Sequence, residues 1–175
     1  LVATLAINHS TPREWSDQEI NLISIVAHRS LESVERARVL RRWKESYEDY
    51  RGFIAISTEG IWRFEVDQPI STNLPVDDQI DLIYQVAYLA ECNTAMAKMY
   101  GYDSADQIVG ARIGDLLPKS TPENIEYLQA LIHSGYNLND VESHELDRYG
   151  NVKVILNNMS AIIENGMIVR AWGTQ

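Results

Sequence analysis

The stretch "CNTAMAKMYGYDSADQIVGARIGDLLP", Cys92 to Pro118, decides how the rest of the chain is read. It breaks into short helical pieces around a Gly-Tyr hinge. Asn93 is placed to cap the helix TAMAKMYG. Ser104 and Gln107 have the spacing of a capping box for ADQIVG. IGDLLP is one more turn of helix, stopped by Pro118. Nothing in the stretch pairs a nucleophile with a base or cradles a phosphate. The question is what sort of protein spends its middle on such a segment.

The flanks supply the answer. Thr121 and Pro122 open a longer helix that runs through His133 and closes at Gly135. Then "DVESHELD", "NVKVILNNMSAII" and "MIVRAWGTQ" read as three strands, joined by RYGN and ENG. Asn165-Gly166 is a two-residue hairpin signal. On the other side, "FIAISTEGIWRFEV" is expected to be a strand ending near Val66, with Gly60 near its start. "DQPISTNLP" is expected to be a loop. "VDDQIDLIYQVAY" reads as a short helix with Pro75 early and acids in its first turn. "YLAECN" is a brief strand. The order predicts an α+β fold: a five-stranded antiparallel sheet with short helices on one face.

The N-terminal third is different. "VATLAI" reads as a strand and Asn8–Arg13 as a turn. Ser16 and Glu19 form a capping box, with Trp15 and Ile20 as a hydrophobic staple. No Gly or Pro occurs from Ser16 to Arg51, which predicts a long connecting helix of about 50 Å at 1.5 Å per residue. Ile20, Ile23, Ala27, Val34 and Ala37 keep a 3-4 spacing. Leu40, Trp43, Tyr47 and Tyr50 keep it in a register shifted by one. Such a seam suits a coiled coil that changes partner midway, or a helix packed first on its own domain and then on the next. Arg36, Arg38, Arg41, Arg42 and Lys44 read as its solvated face.

Composition narrows the classes. The chain has 175 residues, of which 45% are hydrophobic, so a packed core is expected. The net charge of −10 falls entirely after Arg51, because residues 1–51 carry eight basic and eight acidic side chains. Nucleic acid and anionic membrane are therefore poor partners for the second part. A single cysteine, Cys92, excludes an internal disulfide and any Cys-based zinc site, and suits a reducing, cytoplasmic setting. No apolar run approaches a membrane span, and no signal peptide is read. The chain opens without Met on a strand already under way, and is expected to be a piece of a longer protein.

The order of elements and three motifs resemble the PAS sensor family over residues 53–175. The motifs are Gly60-Ile61-Trp62, the quoted stretch, and "ENGMIVRAWGTQ". Residues 1–38 resemble the last strand and closing helix of a GAF domain, and 39–52 are then a helical linker. The resemblance implies a bacterial signal-transduction protein, most often a sensor histidine kinase of the two-component type. Its output domain lies elsewhere. This part is expected to have no catalysis of its own. It would bind a small ligand or relay a conformational signal through the long helix. The alternative is a structural PAS module for dimerisation and relay, without ligand.

The candidate residues follow from that frame. Aligning the last strand on Gly166 to Gly173 turns Val154, Leu156, Asn158, Ser160, Val169, Ala171, Gly173 and Gln175 toward the helices. Ligand contacts are expected from Leu156, Asn158, Ser160 and Gln175, with Tyr127 and Leu131 of the longer helix one turn apart. The other face would carry Ile155, Met159, Ala161, Ile163, Ile168 and Trp172, and would need a cover. A homodimer is expected through Leu40, Trp43, Tyr47 and Tyr50. Haem and flavin are not expected. His133 lies near a helix C-terminus, His144 is ambiguous in facing, and His9 and His28 belong to the GAF remnant. Cys92 precedes the first pocket helix, where the flavin-bonding Cys of the light-sensing branch does not lie, and reads as buried and inert. Gln175 does sit where that branch places a flavin-contacting Gln. The acidic groups Asp77/Asp78/Asp81 and Glu142/His144/Glu145 lack a catalytic constellation.

Overall fold

Ser16 opens the first helix with the reciprocal bonds its spacing predicts. Its N–H and its hydroxyl each reach Glu19 Oε2 at 2.9 Å, and the Glu19 N–H donates to Ser16 Oγ at 3.4 Å. This is seen in a computed structural model that describes residues 6–175. The strand expected at VATLAI falls largely outside that range; Ala6 and Ile7, inside it, are in no strand. The chain divides after Gly52 into two compact units. In the first, α1 (Asp17–Ile56) is the dominant element, and none of its residues is buried.

Helix α1 does not stop at Gly52, as the sequence reading expected. It passes through to Ile56, so "FIAI" is helix and not strand. An exposed mid-helix Gly costs only about 1 kcal/mol. The carbonyl of Ile54, one of the unpaired groups of the last turn, accepts from Asn93 Nδ2 at 3.2 Å.

The first strand, β1 (Ile61–Ser71), therefore begins just after Gly60 and extends through the DQPI expected as loop. Pro69 is tolerated there because the β1–β5 register shifts between Glu65 and Ile70, where no ladder bond needs its missing N–H. Next come α2 (Val76–Val86), β2 (Ala87–Cys92), α3 (Thr94–Met99), a 3-10 turn (Ala105–Gln107), α4 (Ile113–Leu116) and α5 (Pro122–His133). The strands β3 (Asn137–Leu146), β4 (Val152–Glu164) and β5 (Met167–Thr174) close the chain. All five strands pair antiparallel in the order β2-β1-β5-β4-β3. Asn165 and Gly166 both take positive φ, 52° and 76°, the turn type their dipeptide favours.

Two caps differ in detail. Ser104 makes no side-chain cap bond; Gln107 Oε1 instead accepts the Asp103 N–H at 3.0 Å. Helix α4 is held by Asp115 Oδ2, which accepts the Arg112 N–H at 3.0 Å.

The phase of β4 is opposite to the one expected. Cross-strand partners share a face, and Ala161 sits opposite Ala171 and Met159 opposite Gly173. Ala171 and Gly173 do face the helices, so Met159 and Ala161 face them too, and Ile155 and Asn157 with them. The β4–β5 register shifts between Ile162 and Ile163, which is where counting by alternation through the hairpin fails. The same shift turns Ile168 inward and takes up Val169. Val154 and Leu156 lie exposed on the far face, at 57% and 50%.

The core sits between sheet and helices in two adjoining clusters. One gathers Ile70, Ile80, Leu128 and Ile168 around α2 and α5; the other gathers Trp62, Leu89, Met96 and Tyr100 around α3. Gly173 belongs to the second. A Cβ there would lie 2.1 Å from the Trp62 ring, so only glycine lets the indole cross the strand. We expect Gly173→Ala to lower stability by about 1–3 kcal/mol through this overpacking. Urea unfolding followed by tryptophan fluorescence measures it, and an unchanged midpoint would mean the indole lies elsewhere.

Candidate functional site

The inner face of the sheet is apolar where it meets α2, α4 and α5. Trp62, Phe64 and Val66 of β1, Met159 and Ala161 of β4, and Leu116 of α4 line a cavity of about 80 Å³ there. A buried water needs roughly 10–15 Å³ by the same kind of measure, so the space would hold several waters or a compact molecule.

One corner of this cavity is polar. The shift in β3 between Leu138 and Val141, where Asp140 takes φ 53°, turns Ser143 and Glu145 toward the helices. Glu145 is 8% exposed. Its Oε1 accepts from Ser143 Oγ at 2.6 Å and from Asn157 Nδ2 at 3.5 Å. Asn157 Nδ2 also reaches Ser143 Oγ at 2.7 Å. Glu145 Oε2 accepts the hydroxyl proton of Tyr100. The Tyr100 oxygen in turn accepts from Gln175 Nε2 at 3.0 Å. No Lys, Arg or His is bonded to the carboxylate. Burial therefore raises the Glu145 carboxyl above the usual carboxylate range, though the bonds from Ser143, Tyr100 and Asn157 oppose that. Burial and the Glu145 charge also raise the phenols of Tyr100 and Tyr127.

Gln175 connects this corner to the place where the sheet unit is entered. Its N–H donates to the Gly60 carbonyl at 2.9 Å, and the Gly60 N–H returns to its carbonyl at 2.8 Å. Close by, Asn93 is 4% exposed and fully used. Its Nδ2 donates to Ile54 and Glu59 carbonyls at 3.2 and 2.8 Å, and its Oδ1 accepts from Ile61 and Met96 N–H groups at 3.1 and 3.0 Å.

Of the residues expected to contact a ligand, Tyr127, Leu131 and Gln175 line the cavity. Leu156, Asn158 and Ser160 do not; the corrected strand phase puts them on the opposite face. Asn158 Oδ1 there accepts the Asp140 N–H at 3.0 Å and so fixes the β3 irregularity. The residues missed are Glu145, Asn157 and Tyr100. Alternation within β3 and β4 is the only signal for Glu145 and Asn157, and both strands carry polar residues on both faces; Tyr100 stands just past α3, outside that pattern. Of the expected far-face residues, Ile155, Met159, Ala161 and Ile168 point inward. That face is nonetheless apolar, with Val152, Val154, Leu156 and Ile162 exposed, while Ile163, opposite Ile168, shares the inner face. On α1, Leu40 and Trp43 are 61% and 67% exposed, and the Trp43 and Tyr47 rings stack at 5.5 Å.

Neither His nor Cys lines the cavity. Cys92 is buried beside Trp62 and Met96, and burial pushes its thiol up to about 11. Among the described residues, no group of three or more His, Cys, Asp or Glu could hold a metal ion, and no helix is long and apolar enough to cross a membrane.

No family model matches the chain, and no curated protein does. Solved structures do. The E. coli DhaR(N)-DhaL complex is similar at a TM-score of 0.57 and 14% identity, over 91% of this chain and 45% of that one. An RNA-binding light-oxygen-voltage receptor is similar at 0.51 and 15% identity, over 73% of this chain and 32% of that one. The PAS domain of a protein from Colwellia psychrerythraea is similar at 0.49 and 17% identity, over 73% and 92%. The chain thus spans less than half of the first two. Likeness at such identities concerns the fold alone: α+β and PAS-like, a five-stranded antiparallel sheet with helices and a long helix before it.

The raised Glu145 carboxyl has a consequence for stability. The folded state holds this proton to higher pH than the unfolded chain, whose Glu titrates near ~4.3. Between the two values the folded state binds more protons, so this group's contribution is fully present below the unfolded pKa and is lost as pH rises through the folded one. The isosteric Glu145→Gln variant lacks the loss. We expect its stability relative to the wild type to improve as pH is raised from about 4, in paired urea titrations. A difference that does not change with pH would mean that Glu145 is not buried as described.

Proposed function

We propose that this chain is the sensory and regulatory part of a cytoplasmic bacterial signal-transduction protein, of the sensor histidine kinase kind. Residues 1–38 are the tail of a GAF domain, 39–52 a linker, and 53–175 a PAS domain. The PAS domain takes a small ligand and biases two packings of its sheet and helices, which differ by a few kcal/mol in such devices. The long helix α1 carries the change, and the output domain lies outside this sequence. The part itself is non-catalytic and colourless, and contacts neither nucleic acid nor membrane.

The observation that carries this reading is the hydrogen-bond route out of the cavity. It runs from Glu145 through Tyr100 to Gln175, and by the paired backbone groups to Gly60. Anything that alters the carboxylate acts on the point where the first and last strands of the unit meet. Tyr100→Phe cuts the route while keeping the ring. We expect faster hydrogen exchange at the Gly60 and Gln175 amides in that variant. Unchanged exchange there, with faster exchange only around Glu145, would mean the cavity is not coupled to the entry strand.

The small size of the cavity, about 80 Å³, favours a second reading, a PAS module for dimerisation and relay without ligand. Both readings place a parallel homodimer on α1. A 40-residue helix without a buried residue is not stabilised by a core of its own, and Leu40, Trp43, Tyr47 and Tyr50 keep the spacing of a partner-facing seam. We expect the wild type to sediment as a dimer at micromolar concentration and Trp43→Glu as a monomer. A wild type that stays monomeric at high concentration removes this interface.

A further inference from the structure

The polar corner of the cavity is one-sided in its chemistry. Its charged group is an anion, Glu145, and every neighbour bonded to it is a neutral donor. Once those donors are assigned, the capacity left to meet a guest is mostly that of acceptors, with the second N–H of Gln175 as the exception. The Tyr100 proton goes to Glu145, so Gln175 Oε1, 3.3 Å from the Tyr100 oxygen, keeps its capacity to accept. Tyr127 directs its proton at the Met159 sulfur, a weak acceptor, at 3.1 Å, and leaves its oxygen lone pairs available. Glu145 Oε2 accepts one proton where it has room for two. Arg170 is the cation among the lining residues, but its guanidinium lies 3.5 Å from the exposed Glu164 and its side chain is 41% exposed. Around these acceptors the walls are apolar: Phe64, Leu116, Leu131 and Ala161.

We infer that the cavity is a binding site for a small primary ammonium compound with a compact aliphatic body, its head group on Glu145, Tyr127 and Gln175. An ammonium has three donors and no acceptor, which matches a corner that offers an anion and a majority of acceptors. It would also supply the countercharge that the buried carboxylate lacks, in a place where a charge-assisted bond is strong. An anionic guest would meet Glu145 with like charge. A neutral alcohol has one donor for three acceptors. The volume limits the body to a few carbons. This inference rests on the ligand-binding reading above and specifies its chemistry.

The test uses the chain as described and three probes of similar size: isobutylammonium chloride, isobutanol and sodium isobutyrate. Binding is followed by amide chemical shifts of residues around the cavity at neutral pH. We expect isobutylammonium to bind roughly tenfold or more tightly than isobutanol, as a charge-assisted bond should against a neutral one, and isobutyrate not to bind. Glu145→Gln should erase the preference. Leu131→Phe, which fills the cavity and keeps the carboxylate, should abolish binding of both positive probes. If isobutanol binds as well as the amine, the cavity accepts ligands but the ammonium inference fails. A preference that persists in Glu145→Gln also overturns it. If none of the three probes binds, the ligand-binding reading fails with it.

Discussion

Asn93 is one side chain with four hydrogen bonds, and the arrangement of the sheet unit hangs on it. Two bonds close carbonyls at the end of α1 and in the turn after it, one receives the first N–H of β1, and one caps α3. An amide is the side chain that can do this, because it carries two donors and a double acceptor on one rigid plane. An aspartate would accept the two N–H groups and repel the two carbonyls. Within the sheet unit, the strand that starts the sheet, the backbone from Ile54 to Glu59 before it and the first helix after β2 are therefore tied together by a residue 4% exposed. Removing such a group leaves buried partners unmet, which costs far more than the bonds themselves contribute.

The same logic explains why the inside of this unit is uneven. Most of it is a packed apolar core that needs no partners. Two of its buried polar groups differ in kind: Gln79, which receives the Tyr136 hydroxyl at 2.8 Å and donates to the Leu74 carbonyl at 2.8 Å, and the Glu145 group. Gln79 is neutral and satisfied by chain segments that are fixed in place, so it acts as a lock. Glu145 is ionisable and borders empty space, so its protonation depends on its surroundings. A carboxylate surrounded by neutral donors is tolerated at a cost that depends on its proton, and a sensor can use that dependence while a lock cannot.

The order of elements was legible because each is announced by local chemistry: Ser16 with Glu19, Pro75 and Pro122 at helix starts, Asn165-Gly166 at a hairpin. The resemblance of the quoted stretch to PAS proteins carried the fold class. What failed were features set by partners distant in sequence. Phe53–Ile56 has strand-like side chains, yet its backbone is helical, its end tied by Asn93 nearly forty positions away. Asp67–Ser71 contains a proline, yet it is strand because its neighbour β5 shifts register beside it. The face of β4 was lost at one such shift, and with it the site: Asn158 and Ser160 were chosen where Asn157 and Met159 stand. Tyr127, Leu131 and Gln175 were placed on the cavity because a helix and a terminal strand kept their phase. Glu145 stands out in the sequence only as one of a group of acids, and alternation in β3 is too weak to tell a buried acid from an exposed one.

The mutual backbone bonds of Gly60 and Gln175 have a consequence for how such a unit bears tension. Gly60, just before the first strand, and Gln175, just after the last, sit side by side at one end of the ladder. The unit is thereby closed on itself. Its first and last strands are neighbours in the ladder, so tension applied to either end is borne by the same rungs.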